Sequence, residues 1–95
     1  MPEMRFVVRW PDGAEEACYS PSLVIKDYFT PGESYALADF VERSRTALLI
    51  ASDRVRAKYG FSCSAALDQL AQIEEAAARF ADMPEPRVTI AAFEE

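Results

Sequence analysis

The chain has 95 residues, 51% of them hydrophobic, and a net charge of −6 from 10 basic and 16 acidic residues. That predicts one domain over residues 1–95, burying roughly 64% of its unfolded surface without staples, and it excludes a disordered chain. No apolar run approaches the ~18 residues of a membrane span, an acidic balance makes a poor generic nucleic-acid binder, and with no histidine and two cysteines neither a histidine base nor a zinc site can be assembled.

Residues 4–10 alternate as a strand: Phe6, Val8 and Trp10 against Arg5, Val7 and Arg9. This start is strand-like rather than a secretion signal, so a cytoplasmic protein is expected. Pro11-Asp12-Gly13 is a tight turn, since proline presets φ, aspartate bonds its own backbone and glycine accepts positive φ. The chain returns through residues 14–19, a β-hairpin with Ala17 and Tyr19 on one face and Glu16, Cys18 and Ser20 on the other.

Residues 20–33 read as a loop with turn signals at Ser20-Pro21-Ser22 and Thr30-Pro31-Gly32. Its middle, from Leu23 to Phe29, is too apolar for a slack linker. It is expected as a short strand or a loop packed on the core, with partner binding as the functional alternative.

Ser34 can cap a helix over 35–59. Leu37, Val41, Leu48 and Val55 fall within an arc of about 40°, flanked by Phe40, Ser44 and Ala51. Leu49 and Ile50 point away, which suggests contact with another helix or subunit. Gly60 stops the helix and Lys58 suits the negative end of its dipole. A second helix starts at Ser62 or Ser64 and runs to about Asp82, with Ala66, Leu67, Leu70, Ile73, Ala77 and Phe80 inward. Ala76-Ala77-Ala78 permits close packing, and Met83-Pro84-Glu85-Pro86 breaks the helix. Residues 87–93 form a last strand, Val88, Ile90 and Ala92 alternating with Thr89, Ala91 and Phe93.

The order is ββααβ, an α+β fold. The expected architecture is a small three-stranded antiparallel sheet, order 2-1-3, covered on one face by two helices. Its open edges and bare face favour self-association through a helix face or sheet edge, as a homodimer.

Charge is uneven along the chain. Residues 43–58 carry Arg43, Arg45, Arg54, Arg56 and Lys58 against Asp53 alone, a local +4. Ion pairs with Asp27, Asp39 and Asp53 are the plain reading; a surface for an anion or an acidic partner is the functional one. Cys18 and Cys63 are expected as free thiols. Cys63, placed just inside a helix start with Lys58 and Tyr59 upstream, is the one candidate for a reactive or ligand-contacting group. Packing under the interhelical turn is its structural alternative. Glu15-Glu16 and Glu74-Glu75 point apart and make no acid–base pair. No nucleophile–base–orienter set is legible, so whether the chain is an enzyme stays open, a non-catalytic role being favoured, with no cofactor and no metal.

Several stretches are more distinctive than composition requires. They are Cys18-Tyr19-Ser20-Pro21-Ser22, Asp27-Tyr28-Phe29-Thr30-Pro31-Gly32, Arg43-Ser44-Arg45, Ala51-Ser52-Asp53-Arg54-Val55-Arg56 and Lys58-Tyr59-Gly60-Phe61-Ser62-Cys63-Ser64. With Arg9-Trp10-Pro11-Asp12-Gly13 ahead of them, the chain resembles, over about residues 1–80, the small bacterial nitrogen-starvation-response proteins. The resemblance implies genes clustered with a nitrilase and other enzymes, and a setting of nitrogen scavenging from nitrile-like compounds. It brings no activity and no catalytic residues. The expectation is an accessory or interaction protein that contacts itself or an enzyme of the same cluster through the basic helix and the loop 23–33, with neither nucleic acid nor membrane as partner. The alternative is a binder of a small anionic ligand, or a minor enzyme, using Cys63 and neighbouring basic residues. Contacts would fall on Arg43, Arg45, Arg54, Arg56, Lys58, Tyr59, Cys63, Asp27 and Tyr28.

Overall fold

In the computed structural model, which describes residues 3–61 and 63–95, the opening alternation becomes strand β1 (Met4–Arg9), with Met4, Phe6 and Val8 buried and Arg5 and Arg9 exposed. The turn forms as its chemistry dictates. Gly13 takes φ +89°, the Asp12 carboxylate accepts the Ala14 N–H at 3.0 Å, and the Trp10 N–H donates to the Ala14 carbonyl at 2.8 Å. Strand β2 (Glu15–Ser20) returns antiparallel, setting Cys18 opposite Phe6 and Glu16 opposite Val8 on the face that meets the core.

Residues 23–29 are a loop packed on the core, containing one helical turn, α1 (Ile25–Tyr28), rather than a strand. Val24, Ile25 and Phe29 are buried, so the apolar run is core and not a free docking loop. Ser20 and Ser22 organise the approach. The Ser20 hydroxyl donates to the Ser22 carbonyl at 2.7 Å, and the Ser22 hydroxyl accepts the Val24 N–H at 3.3 Å.

Among the described residues the sheet has four antiparallel strands in the order β2-β1-β4-β3, not three. The last strand, β4 (Arg87–Glu94), does lie beside β1 as expected; the unforeseen member is β3 (Ser34–Ala36), on the outer side of β4. Three residues are too short to show a two-residue period. Ser34 does not cap the helix either. Its hydroxyl accepts from Arg87 Nε at 3.1 Å, and the cap position falls to Ala36, which makes no side-chain bond.

Helix α2 (Leu37–Tyr59) buries Leu37, Phe40, Ser44, Leu48, Ala51 and Val55, with Ala47 and Ser52 added to the expected stripe and Val41 only half-buried. Leu49 is exposed, but Ile50 leans back onto the core, so the expected outward pair is one residue. Gly60, at φ +84°, ends the helix with its N–H on the Arg56 carbonyl at 2.8 Å. Helix α3 (Ser64–Ala78) ends earlier than expected, and residues 79–82 continue as turns. Leu67 is 40% exposed, contrary to expectation. It sits about 100° around the helix from Ala66, outside the stripe of Ala66, Gln69, Leu70, Ile73 and Ala77.

The last strand carries a second correction. Val7 faces Ala92 while Val8 faces Ile90, so Ala91 is the extra residue of a bulge. The bulge reverses the alternation after Ile90: Val88, Ile90 and Phe93 meet the core, and Ala92 faces out. Aromatic rings knit the layers together. Trp10 lies 5.5 Å from Phe40 and stacks on Phe80 at 5.9 Å, while Phe29 contacts Phe6, Phe40 and Tyr35 at 6.1, 5.4 and 5.2 Å between centroids.

Candidate functional site

The basic side chains of α2 radiate to separate partners. Arg43 donates to the Asp39 carboxylate at 2.9 Å and to the Tyr28 carbonyl at 2.8 Å, and stands 5.0 Å from the Tyr35 ring centroid. It therefore clamps the end of α1 to the helix. Arg45 binds Glu42 at 2.8 Å and reaches across to Glu74 of α3 at 2.7 Å. Arg54 donates to the Ser22 hydroxyl at 2.9 Å, and Arg56 pairs with Asp53 at 3.1 Å. Lys58 lies 5.4 Å from the Tyr59 ring. Asp39 and Asp53 are ion-pair partners as the charge pattern suggests, whereas Asp27, exposed on α1, makes no ion pair among the described residues. Tyr28 is half-buried and serves through its carbonyl. Arg43, Arg45 and Arg54 thus fasten α2 to its surroundings, Arg56 pairs within the helix, and the four guanidinium groups share no pocket among the described residues.

Tyr59 and Cys63 do come together. The left-handed Gly60 turns the chain sharply, setting Phe61 out into solvent with its ring 6.4 Å from that of Tyr59. Cys63 is the cap residue of α3 rather than a residue inside it: its backbone is extended at φ −81°, ψ 103°, its carbonyl accepts the Leu67 N–H at 3.3 Å, and its thiol makes no cap bond. Ser64 is then the first helical residue, not the cap, and Ser62 lies outside the described residues. Around this corner Glu3, Tyr19, Pro21, Val55, Tyr59, Phe61 and Cys63 enclose an open cleft of about 320 Å³. Neither Arg54 nor Arg56 lines it; its charged wall is Glu3. Burial first, then the neighbouring Glu3 carboxylate, pushes the Tyr19 phenol above its ordinary value. Cys18 is the other free thiol, fully buried under β2, and burial reinforced by Glu16 pushes it up to about 12.

A larger open groove, about 890 Å³, runs between the start of α2, the end of α3 and residues 81–87. Leu37, Val41, Ala77 and Pro86 give it an apolar floor, and Glu42, Arg45, Glu85 and Arg87 a rim of balanced charge. Glu85 holds φ +47°, the one non-glycine residue at positive φ among the described residues. Sequence reasoning singled out only Arg45 here. The legible signal was the run Ala76-Ala77-Ala78, whose last residue, Ala78, is exposed in the groove instead of packed between helices. In the smaller cleft it missed Glu3, Tyr19 and Phe61, although an aromatic residue directly after a helix-ending glycine belongs to no buried stripe.

Among the described residues no group of three or more cysteine, aspartate or glutamate side chains is placed to hold a metal ion, and no helix is long and apolar enough to cross a membrane. Neither the curated proteins nor the solved structures give a match to this chain. A family model described as nitrogen starvation-induced protein NitG matches residues 5–93, from the second residue of β1 to the end of β4 but for one residue. The match reaches every strand and helix of the fold and takes in the larger groove and, Glu3 excepted, the smaller cleft, and on that span the chain belongs to the NitG family of nitrogen starvation-induced proteins.

Proposed function

We propose that this protein is a non-catalytic accessory protein of a bacterial nitrogen-starvation response, working in the cytoplasm by contact with a second copy of itself and, through that dimer, with an enzyme encoded beside it. The family assignment supplies the setting. The observation that carries the reading is the groove beside β3, apolar in its floor and neutral at its rim. On a chain of net charge −6, two copies repel over most of their surface. Two acids and two bases around an apolar floor give a patch where that repulsion vanishes, and a two-fold contact requires such self-complementarity.

The β3 edge lies alongside. Backbone bonding at Glu33 and Leu37 points inward, to Ile90 and Pro86, which leaves the backbone of Ser34 and Ala36 facing outward. Arg87 covers one of these groups, donating to the Ser34 carbonyl at 3.0 Å. The remaining edge is short, so groove packing rather than strand addition supplies the contact area.

Light scattering after size exclusion tests the reading, together with capture of a tagged copy from nitrogen-starved cells. The expected particle has two protomers and brings an enzyme of the same gene cluster in stoichiometric amount. Ala78 is exposed, so Ala78→Arg should leave stability within about 0.5 kcal/mol and split the dimer. A wild-type monomer at tens of micromolar, captured with no partner, would sink the proposal.

A further inference from the structure

The second concavity, at the α2–α3 corner, has a composition that contact between copies does not explain. Among the described residues, three aromatic rings, those of Tyr19, Tyr59 and Phe61, line a cleft of about 320 Å³ together with one carboxylate, Glu3, and no basic side chain. Tyr59 and Phe61 are 52% and 68% exposed, positions where large rings are left out only at some cost in apolar surface. Their planes meet at 35° with centroids 6.4 Å apart, so they stand as inclined walls rather than as a closed stack.

Aromatic faces carry negative charge density, and a carboxylate beside them adds a full negative charge. Rings so arranged attract cations, and methylated ammonium groups above all, because these are large, weakly hydrated and cannot be satisfied by hydrogen bonds. The rings show that affinity within the chain itself. Lys58 Nζ lies 5.4 Å from the Tyr59 centroid and the Arg5 guanidinium 6.0 Å from that of Tyr19. Neither Lys58 nor Arg5 lines the cleft, so both approach from outside it. The Cys63 thiol, Val55 and Pro21 complete an apolar lining suited to methyl groups. The volume is at the low end for ligand sites and takes one small head group.

We propose that this cleft binds a small organic cation bearing a methylated ammonium head group, seated between Tyr19, Tyr59 and Phe61 with Glu3 as its counter-charge. The site is independent of the groove beside β3, and its failure would leave the accessory reading standing.

Titration of the full-length protein with choline, followed by amide chemical shifts, tests this directly. The neutral isostere 3,3-dimethylbutanol, which has the same shape without the charge, serves as the comparison. The expected result is saturable shifts at Tyr19, Tyr59, Phe61 and Cys63, with choline bound at least about fivefold more tightly than the isostere. Tyr59→Ala and Glu3→Gln, both at exposed positions, should each weaken choline about two- to fivefold. Lys58→Gln should tighten it, since that variant removes the cation competing for the Tyr59 ring. Equal binding of choline and the isostere would reduce the cleft to an apolar dent and overturn the proposal, as would shifts spread over the acidic surface that sodium chloride reproduces. A trimethyllysine peptide bound about tenfold more tightly than choline would overturn the assignment to a free ligand.

Discussion

Cys18 and Cys63 show how one residue type takes opposite roles from its surroundings. Cys18 faces Phe6 under the sheet with no exposed surface, whereas Cys63 is half-exposed at the interhelical corner. Burial pushes Cys18 up to about 12 from an ordinary 9.0. Between those values an unfolded chain releases the Cys18 proton and the folded chain keeps it. The stabilisation is therefore complete below pH 9 and is lost as pH rises toward 12. The loss should be on the order of 1 kcal/mol by pH 10 and on the order of 4 kcal/mol by pH 12. Urea unfolding at pH 7 to 11 should show wild type falling more steeply than Cys18→Ala, the difference removing the tyrosines and lysines common to both. In the native state, a thiol reagent should label Cys63 promptly and Cys18 only at the rate of opening. The hairpin faces, and with them the inward side of Cys18, were legible in the sequence because alternation alone fixes them. Where Cys63 would sit was not, because Ser64 looks like a better cap than cysteine and local preference gave way to where the Gly60 corner delivers the chain.

Elements went unread where their partners lie far along the chain. β3 is defined by pairing with residues some fifty positions later, and nothing in Ser34-Tyr35-Ala36 announces it. The bulge at Ala91 is likewise a property of two strands together, so reading one strand put Ala92 inside and Phe93 outside. Gln69 was passed over because it interrupts an apolar stripe. The structure shows its use: β2 is an edge strand, and the outward Tyr19 N–H donates to Gln69 Oε1 at 2.9 Å. Helix α3 thereby blunts the edge that would otherwise offer itself to another chain. Gln69→Ala would strand that N–H, a loss of about 1–3 kcal/mol. Gln69 Nε2 has no hydrogen-bond partner among the described residues, so the substitution also removes an unsatisfied amide. The net loss should then lie near 1 kcal/mol by denaturant midpoint, with faster exchange of the Tyr19 amide.

At the scale of the whole molecule, stability rests on the aromatic cluster more than on charge. The six ion pairs among the described residues all join exposed groups, where solvent screening and side-chain entropy leave little net stabilisation. Phe40 instead touches Trp10 of the hairpin and Phe29 of the α1 loop from the first turn of α2, with no exposed surface. Phe40→Ala should cost about 3–5 kcal/mol, a large share of the ~5–15 kcal/mol available to a domain, and should show as a lowered midpoint in thermal and urea unfolding. Charge patterning did disclose the basic stretch of α2. That its guanidinium groups would diverge depended on where Tyr28, Ser22 and Glu74 come to lie, which only the packed layers determine.

The strand order has a temporal consequence. β4 is the last element in chain order, yet it lies inside the sheet, hydrogen-bonded to β1 on one side and β3 on the other. While residues 87–94 are still within the ribosome, the hairpin and helices can gather but β1 keeps a bare edge and β3 has nothing to pair with. Closure of the sheet therefore waits until residues 87–94 have emerged, joining segments some eighty residues apart, and contacts of that separation are slow to form. A cell that makes this protein on losing its nitrogen supply holds for that interval a population of chains with an open strand edge, exposed to proteases and chaperones until the eight residues of β4 slot into place.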